Sequence, residues 1–200
     1  MIKSVILASK SEVRKNLLVR AGVDVVVHPV SIDEEAVRES LSEEGVSPRD
    51  MADHLAEMKA FRAAGSYMQQ QLVLGCDQVL ELNEVAIGKP RSLSQARSQL
   101  ESLSGQKHKL HSAAVIYDRE KPVWRHMGTT TLQMRTLTPE FIESYLERNW
   151  EKVRFSVGGY LIEDEGIRLF SRIDGSHFVI LGLPLLEILS YLTLREILKT

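Results

Sequence analysis

The chain has 200 residues, 44% of them hydrophobic and 26% charged, which is typical of a globular protein with one large domain or two small lobes that share a core. Its 25 basic and 27 acidic residues are mixed along the chain and give a formal net charge of −2, which argues against a nucleic-acid partner. No apolar run approaches the roughly 20 residues needed to cross a bilayer, so no membrane partner is predicted.

The first third of the chain predicts a β-α-β unit followed by two helices. Short runs of β-branched and apolar residues at Ser4–Ala8 and Val23–Val27 flank a stretch with helical spacing. The stretch Glu34–Glu44 is acidic and amphipathic. A capping serine and a proline at the first helical position predict another helix over 47–64.

The remaining two thirds predict further strands with helices between them. Leu72–Leu82 is a long, mostly apolar strand, and Asn83-Glu84 forms a turn into a second strand, Val85–Ile87. More elements follow in chain order: a helix over Ser94–Leu103, paired strands over His111–Tyr117 and Val123–Arg135, a helix from Pro139 to about Asn149, a link over 150–155, a strand pair over Ile167–Ile173 and His177–Leu181, and a closing helix from Pro184. This alternation predicts an α/β fold.

The single cysteine, Cys76, excludes an intramolecular disulfide and thiolate zinc sites, and it fits a reducing compartment. The apolar N-terminal run is not followed by the small-residue cleavage site of a signal peptide, so a cytoplasmic protein is predicted. His108 and His111 lie three residues apart in a stretch with strand character and would point to opposite faces. We interpret all six histidines as surface or structural residues.

The turn between the first strand and the first helix has the features of an anion site. Backbone N–H groups at a helix start carry partial positive charge, the Ser9 and Ser11 hydroxyls add donors, and Arg14 can fork onto a phosphate. The stretch has neither the glycines of a Walker loop nor those of a dinucleotide-binding fingerprint. The alternative is that Ser11 only caps the helix and Arg14 is a solvated surface residue.

Asp77 lies within an otherwise apolar strand, where a carboxylate is costly to bury unless a metal, a base or hydrogen bonds compensate. The acidic run Asp33-Glu34-Glu35 offers a further hard oxygen ligand for magnesium, although such runs are usually solvated helix starts. Lys89 is fixed between a glycine and a rigid proline, where its ammonium group could be aimed at a phosphate. Lys59 on a helix face means little by itself. These residues together indicate an anion site with carboxylates.

Seven short motifs follow one another over nearly the whole chain: Leu7-Ala8-Ser9-x-Ser11-x-x-Arg14, Asp33-Glu34, Leu55-Ala56-x-x-Lys59-Ala60, Gly75-x-Asp77, Gly88-Lys89-Pro90, Leu103-Ser104-Gly105-x-x-His108 and Val179-x-x-Gly182-Leu183-Pro184. Each motif is weak alone, but the ordered set is highly specific. In this set the chain resembles the Maf family of nucleoside triphosphate pyrophosphatases.

The resemblance implies a fold like that of inosine triphosphate pyrophosphatases, with a mixed twisted sheet flanked by helices and two lobes around a central cleft, as a single domain over residues 1–200. It also implies hydrolysis of a nucleoside triphosphate to the monophosphate and pyrophosphate, a divalent cation, Mg²⁺ or Mn²⁺, and often a homodimer. By position, Asp77 is the proton acceptor or a metal-linked carboxylate and Glu34 is its acidic partner at the metal. The residues placed at the phosphates are Ser9, Ser11, Arg14, Lys59 and Lys89.

Three positions bear on which base is accepted: Val13, Gln78 and Glu163. Asp77-Gln78 with a late Glu163 resembles the 7-methyl-GTP branch of the family, and a carboxylate suits the N–H edge and the positive charge of a 7-methylated guanine. Branches that act on pyrimidine triphosphates typically have Thr after the Asp and a late Gln. Val13 matches neither branch, since the pyrimidine branch usually has Arg there and the 7-methyl-GTP branch has Trp. Glu163 stands next to two further acids, so the alternative is that it is only an exposed surface residue.

The leading hypothesis is a house-cleaning pyrophosphatase for modified or non-canonical nucleotides, with 7-methyl-GTP favoured. A second hypothesis is a dTTP/UTP or broad-range pyrophosphatase. A third is a nucleotide-binding regulator of cell division, a role also associated with the family. The combination of acidic and basic site residues favours hydrolysis, because a sensor has no need of a hydrolytic carboxylate.

Overall fold

The computed structural model describes residues 4–65 and 71–199, so residues 1–3, 66–70 and 200 lie outside it. Its strands are β1 (Val5–Leu7), β2 (Val25–Val27), β3 (Leu72–Leu82), β4 (Val85–Ile87), β5 (Lys107–Asp118), β6 (Lys121–Met134) and β7 (Phe170–Asp174). Its α-helices are α1 (Glu12–Arg20), α2 (Glu34–Glu43), α3 (Pro48–Ala64), α4 (Leu93–Leu103), α5 (Pro139–Val153), α6 (His177–Ile180) and α7 (Leu185–Leu194). Short 3₁₀ turns cover Val157–Gly159 and Glu165–Leu169.

The strands form one mixed sheet in the order β2-β1-β3-β5-β6-β7, with β4 paired to β3. β1 lies parallel to both β2 and β3, which is the pairing of a β-α-β unit. The pairs from β3 to β5, β5 to β6 and β6 to β7 are antiparallel. The predicted mixed α/β fold is therefore confirmed.

Local sequence signals explain why the N-terminal and central elements begin and end where they do. The side chain of Ser47 accepts a hydrogen bond from the backbone N–H of Asp50, and Pro48 occupies the first turn of α3. Asn83 and Glu84 both adopt positive φ angles, 51° and 67°, as a two-residue hairpin turn requires. These predicted elements are confirmed within a few residues of their bounds.

Two predictions about the second half of the chain were wrong. His177–Leu181 does not form a strand, because 177–180 is the short helix α6, so β7 has no hairpin partner after it. The apolar run in this segment, 178–181, fits a buried strand and a buried helix equally well, and periodicity does not separate them. The predicted link over 150–155 is instead largely the last turn of α5, which continues to Val153.

The apolar core lies in three clusters around this sheet. One packs α3 against one face of β1, β3 and β5, and another packs α1 and α7 against the opposite face. The third surrounds α4, α5 and β7 at the other end of the sheet. Within the part of the chain that the structure describes, no helix has both the length and the apolarity of a membrane span.

Helix α3 approaches β3 closely because a glycine faces it. A Cβ atom placed on Gly75 would lie 2.2 Å from the carbonyl oxygen of Ala56 and 2.5 Å from the amide nitrogen of Ala60, closer than atoms can pack. Residues two apart on a strand share a face, so Asp77 points toward the same helix as Gly75. Met51 and Leu55 are buried on the inner face of α3, whereas Phe61 is 60% exposed.

We predict that Gly75→Ala destabilises the fold, because the added methyl group forces α3 away from β3. Overpacking of this kind costs about 1–3 kcal/mol, and a clash with backbone atoms should reach the upper end. Urea unfolding of the variant measures this loss. The control is Gly65→Ala at the C-terminal end of α3, where φ is −60° and the nearest atom is 3.8 Å away. Equal losses in the two variants would contradict the packing argument.

Candidate functional site

A cavity of about 560 Å³ opens between the N-terminal elements and the segment that follows α5. One wall comes from the end of β1 and the middle of β3 with α1, α2 and α3, and the other from residues 152–163 and 180–181. All of the predicted site residues line it: Ser9, Ser11, Val13, Arg14, Glu34, Lys59, Asp77, Gln78, Lys89 and Glu163. Residues that are up to 154 positions apart in sequence (9 to 163) therefore meet in one cleft.

Asp77 is almost fully buried, at 3% exposure, but its two carboxylate oxygens face different cations. Its Oδ1 atom lies 2.6 Å from the Nζ atom of Lys59, and its Oδ2 atom lies 3.2 Å from the Nη2 atom of Arg38. Burial favours the neutral acid, yet the positive charges of Lys59, Arg38 and Arg14 outweigh it and hold the pKa of Asp77 below its ordinary value. The buried side chain is thus a carboxylate compensated by cations.

Lys59 lies between two carboxylates. Its Nζ atom is 2.5 Å from Oε1 of Glu34 as well as 2.6 Å from Asp77. Although burial favours the neutral amine, these two negative charges dominate and raise the pKa of Lys59. The sequence alone gave little weight to a lysine on this helix face. In the structure, the close α3–β3 contact buries Lys59 beside Asp77.

The three acids at the start of α2 have three different roles. The side chain of Asp33 caps the helix by accepting from the backbone N–H of Ala36, and Glu35 pairs with Arg91 on the outer surface. Only Glu34 turns into the cleft. The expectation of a solvated helix start therefore holds for two of the three acids, and Glu34 is the exception.

The turn before α1 holds Arg14 in place. Ser11 caps the helix by accepting from the backbone N–H of Arg14. The Nη1 atom of Arg14 donates to the carbonyl oxygen of Cys76 at 3.0 Å and to Oγ of Ser9 at 3.3 Å. A Cβ atom on Gly182, whose φ is +89°, would lie 2.9 Å from this guanidinium group. Arg14 is therefore a fixed part of the cleft and not a solvated surface residue.

Lys89 reaches the same cleft from the segment after β4. Partial desolvation lowers the pKa of its ammonium group, and the nearby charges of Lys59 and Arg38 act in the same direction, against the attraction of Glu34 and Asp77. The lowered pKa of Lys89 is thus mainly a result of its partial desolvation, and a bound anion would stabilise its charge.

Gln78 contributes to the cleft through the segment that it holds. Its amide nitrogen lies 2.9 Å from the carbonyl oxygens of both Val179 and Ile180 and 3.0 Å from Oγ of Ser112. These contacts fasten the end of α6 to the middle of the sheet. Gln78 therefore shapes the wall formed by 180–181, with its amide nitrogen already engaged by the protein.

Glu163 lies exposed at the border of the cleft, beside two acids that have cationic partners. Asp164 pairs with Lys152 at 2.5 Å, and Glu165 pairs with Arg148 at 2.8 Å. Among the residues with described positions, Glu163 has no such partner. Its carboxylate is thus the one of the three acids that faces the cleft without a counter-ion.

Sequence reasoning missed Arg38. It lies on α2, one helical turn after Glu34, and contacts both Asp77 and, at 4.0 Å, Glu34. The available signal was the i,i+4 spacing, which places the two side chains on one face of the helix. In an acidic amphipathic helix, the sequence alone does not distinguish such a basic residue from a solvated one.

The carboxylates of Glu34 and Asp77 are placed to share a divalent cation. Glu34 and Asp77 converge on the single ammonium group of Lys59, so their oxygens lie close enough to serve one cation. No group of three or more His, Cys, Asp or Glu side chains suited to a metal occurs in residues 4–65 and 71–199. Two carboxylates fit Mg²⁺, which commonly takes its remaining ligands from water and substrate phosphates.

A family model described as Maf-like protein matches residues 4–195 of the chain. The chain belongs to the Maf family. A nucleoside triphosphate pyrophosphatase of Ruegeria sp. (strain TM1040) is 48% identical over 199 residues, all of both chains. One from Roseobacter denitrificans is 50% identical over 98% of both chains.

Members of the Maf family whose names specify one nucleotide are nearly as similar to this chain. A 7-methyl-GTP pyrophosphatase of Mesorhizobium japonicum is 45% identical over 96% of both chains. Among solved structures, a HAM1 protein from Coxiella burnetii has a TM-score of 0.42 and 16% identity, covering 67% of this chain and 73% of that one. That structural similarity is too low to transfer any property.

For this Maf chain we predict that Asp77 and Lys59 are strongly coupled in stability. Lys59→Met removes one partner of a buried ion pair and should lower the free energy of unfolding by about 3–5 kcal/mol. Adding Asp77→Asn removes the stranded charge, so the double variant should be more stable than the sum of the two single losses. Urea unfolding of all four proteins measures the coupling.

The control for that cycle is the surface pair Arg49–Asp50, where both side chains are more than half exposed. Truncating Arg49 should change stability by no more than about 1 kcal/mol. Strict additivity of the Lys59 and Asp77 losses would show that the buried pair does not stabilise the site.

Proposed function

We infer that the chain is a nucleoside triphosphate pyrophosphatase, and we propose 7-methyl-GTP as its preferred substrate. The observation that carries this proposal is the buried carboxylate of Asp77, held by Lys59 in a cleft that also contains Arg14 and Lys89. Binding alone has no need of a buried carboxylate among cations. The activity named for relatives at 45–50% identity over nearly the whole chain supports the same conclusion.

In the proposed reaction, water attacks the α-phosphorus and the bond to the bridging oxygen of the β-phosphate breaks. The products are the nucleoside monophosphate and pyrophosphate, and Asp77 takes the proton of the attacking water. Ser9, Ser11, Arg14, Lys59 and Lys89 hold the phosphates and neutralise the charge that develops on them. Phosphoryl transfer depends mainly on such alignment and charge neutralisation.

Asp77 must be released from a cation before it can accept a proton. In the free protein both of its oxygens are paired, which holds its pKa low and makes it a weak base. A bound triphosphate competes for the same lysine and arginine side chains. Substrate binding thereby frees one carboxylate oxygen, so the basic group is exposed only when there is something to hydrolyse.

We propose that Glu34 and Asp77 hold a divalent cation, Mg²⁺ or Mn²⁺. When bound, that cation supplies Lewis-acid neutralisation of the phosphate oxygens. The proposal also includes a cytoplasmic house-cleaning role and a homodimer, as in the family. The single, buried Cys76 fits a reducing compartment.

The proposal for 7-methyl-GTP rests on Glu163. Its carboxylate has no cationic partner among the described residues, so it is available to accept hydrogen bonds from the guanine N–H edge and to balance the charge of the methylated ring. Val13 and Gln78 complete the proposed specificity set, with Val13 on the phosphate side and Gln78 holding the 180–181 wall.

We predict that purified protein with Mg²⁺ releases pyrophosphate from nucleoside triphosphates and that Asp77→Asn lowers the rate roughly a hundredfold or more. The asparagine keeps the size of the side chain and removes its charge, so binding of substrate should survive. The assay compares 7-methyl-GTP, GTP, UTP and dTTP. No turnover of any nucleotide by the wild type would favour the binding regulator of cell division.

Glu163→Gln should reduce the preference for 7-methyl-GTP over GTP, as measured by the ratio of their kcat/KM values. Loss of a charge-assisted contact predicts a change of roughly tenfold. The matched control is Glu147→Gln, an exposed glutamate of α5 that does not line the cleft. Faster turnover of UTP or dTTP by the wild type, or an unchanged ratio in the variant, would overturn this assignment.

A further inference from the structure

Two carboxylates and two cations alternate around a closed ring in the cleft. Lys59 joins Oδ1 of Asp77 to Oε1 of Glu34, and Arg38 joins Oδ2 of Asp77, at 3.2 Å, to Oε2 of Glu34, at 4.0 Å. Arg38 also donates to the carbonyl oxygen of Gln78 at 3.4 Å. All of these contacts use a single nitrogen of the guanidinium group, Nη2.

Contacts within the protein do not satisfy all of the N–H donors of Arg38. Its Nε atom is buried and has no hydrogen-bond acceptor among the residues that the structure describes. A buried donor without an acceptor is unfavourable, and in native proteins such a group commonly marks the place of a missing partner. Nε and Nη2 form one edge of a planar fork that matches two oxygens of a phosphate.

The position of Arg38 indicates which phosphate it would meet. Besides the main cleft, Arg38, Glu34 and Lys89 line a second recess of about 440 Å³, to which none of the residues in 152–163 contributes. Arg38 and Lys89 therefore mark the end of the cleft that adjoins the recess, away from the wall assigned to the base. In an extended triphosphate, the β- and γ-phosphates lie farthest from the base.

We propose that Arg38 binds the pyrophosphate portion of the substrate through Nε and Nη2, as a cation additional to Arg14, Lys59 and Lys89. Pyrophosphate gains negative charge as the bond to the α-phosphorus breaks, and a guanidinium group at this place stabilises that charge. Arg38 thus pairs with Asp77 before substrate arrives and with the leaving group afterwards. This inference rests on the proposed orientation of the nucleotide in the cleft.

The test measures binding of inorganic pyrophosphate and, separately, of 7-methyl-GMP by calorimetry with Mg²⁺ present. Arg38→Ala should weaken pyrophosphate binding roughly tenfold or more while leaving 7-methyl-GMP binding unchanged. Arg38→Lys, which keeps the charge and loses the fork, should give an intermediate loss. It also serves as the test variant should the alanine variant fail to fold.

The matched control is Arg91→Ala. Arg91 pairs with Glu35 and Glu39 on the outer side of α2, so its removal loosens the same helix without touching Asp77. If Arg38 merely tethered α2, both alanine variants would weaken the two ligands alike, and the proposal would be wrong. Unchanged pyrophosphate binding in the Arg38 variants, or no binding by the wild type, would also overturn it.

Turnover separates this inference from the proposed function. If the wild type releases no pyrophosphate from any nucleotide, the hydrolase assignment is wrong. If the wild type is active and its Arg38 variants bind pyrophosphate normally, only the role proposed for Arg38 is wrong.

Discussion

The ion pair between Asp77 and Lys59 depends on the close approach of two backbones, those of α3 and β3. Gly75 lets α3 lie directly against β3, and this contact brings Lys59 on the helix to within 2.6 Å of Asp77, two residues further along the strand. Neither charge would be tolerable alone in that environment, since a buried charge without a partner is strongly destabilising. The packing of two backbones thereby fixes the electrostatic centre of the cleft.

The centre of the cleft contains more basic side chains than carboxylates to pair with them. Arg14, Arg38, Lys59 and Lys89 all line a cleft that contains two principal carboxylates, Asp77 and Glu34. Partial desolvation lowers the pKa of Lys89, whereas Asp77 and Glu34 outweigh burial and raise the pKa of Lys59. Bound phosphates would add negative charge beside these cations, so the arrangement suits a triphosphate.

Sequence reasoning succeeded where a local signal has one physical meaning. Caps, a first-turn proline and a two-residue hairpin turn located α3 and β3 closely, and the ten residues predicted from the ordered motifs and the three specificity positions all line one cleft. It failed where the decisive fact is tertiary. The mostly apolar run at 177–181 fits a strand or a helix equally well. The importance of Lys59 follows from its distance to Asp77, which only the folded chain defines. Arg38 differs from a solvated arginine only in its contacts with Asp77 and its neighbours.

The two walls of the cleft are built differently, and this bears on how substrate choice can vary. The wall that carries Asp77 and Lys59 uses buried elements of the sheet and α3, where a substitution also disturbs the core. The opposite wall at 152–163 follows the end of α5 and consists of short 3₁₀ turns and loop, with Gly158 and Gly159 at positive φ. A loop wall tolerates substitution more readily than a packed core. Substitutions in this loop wall can therefore change the shape of the cleft without disturbing the packing around Asp77.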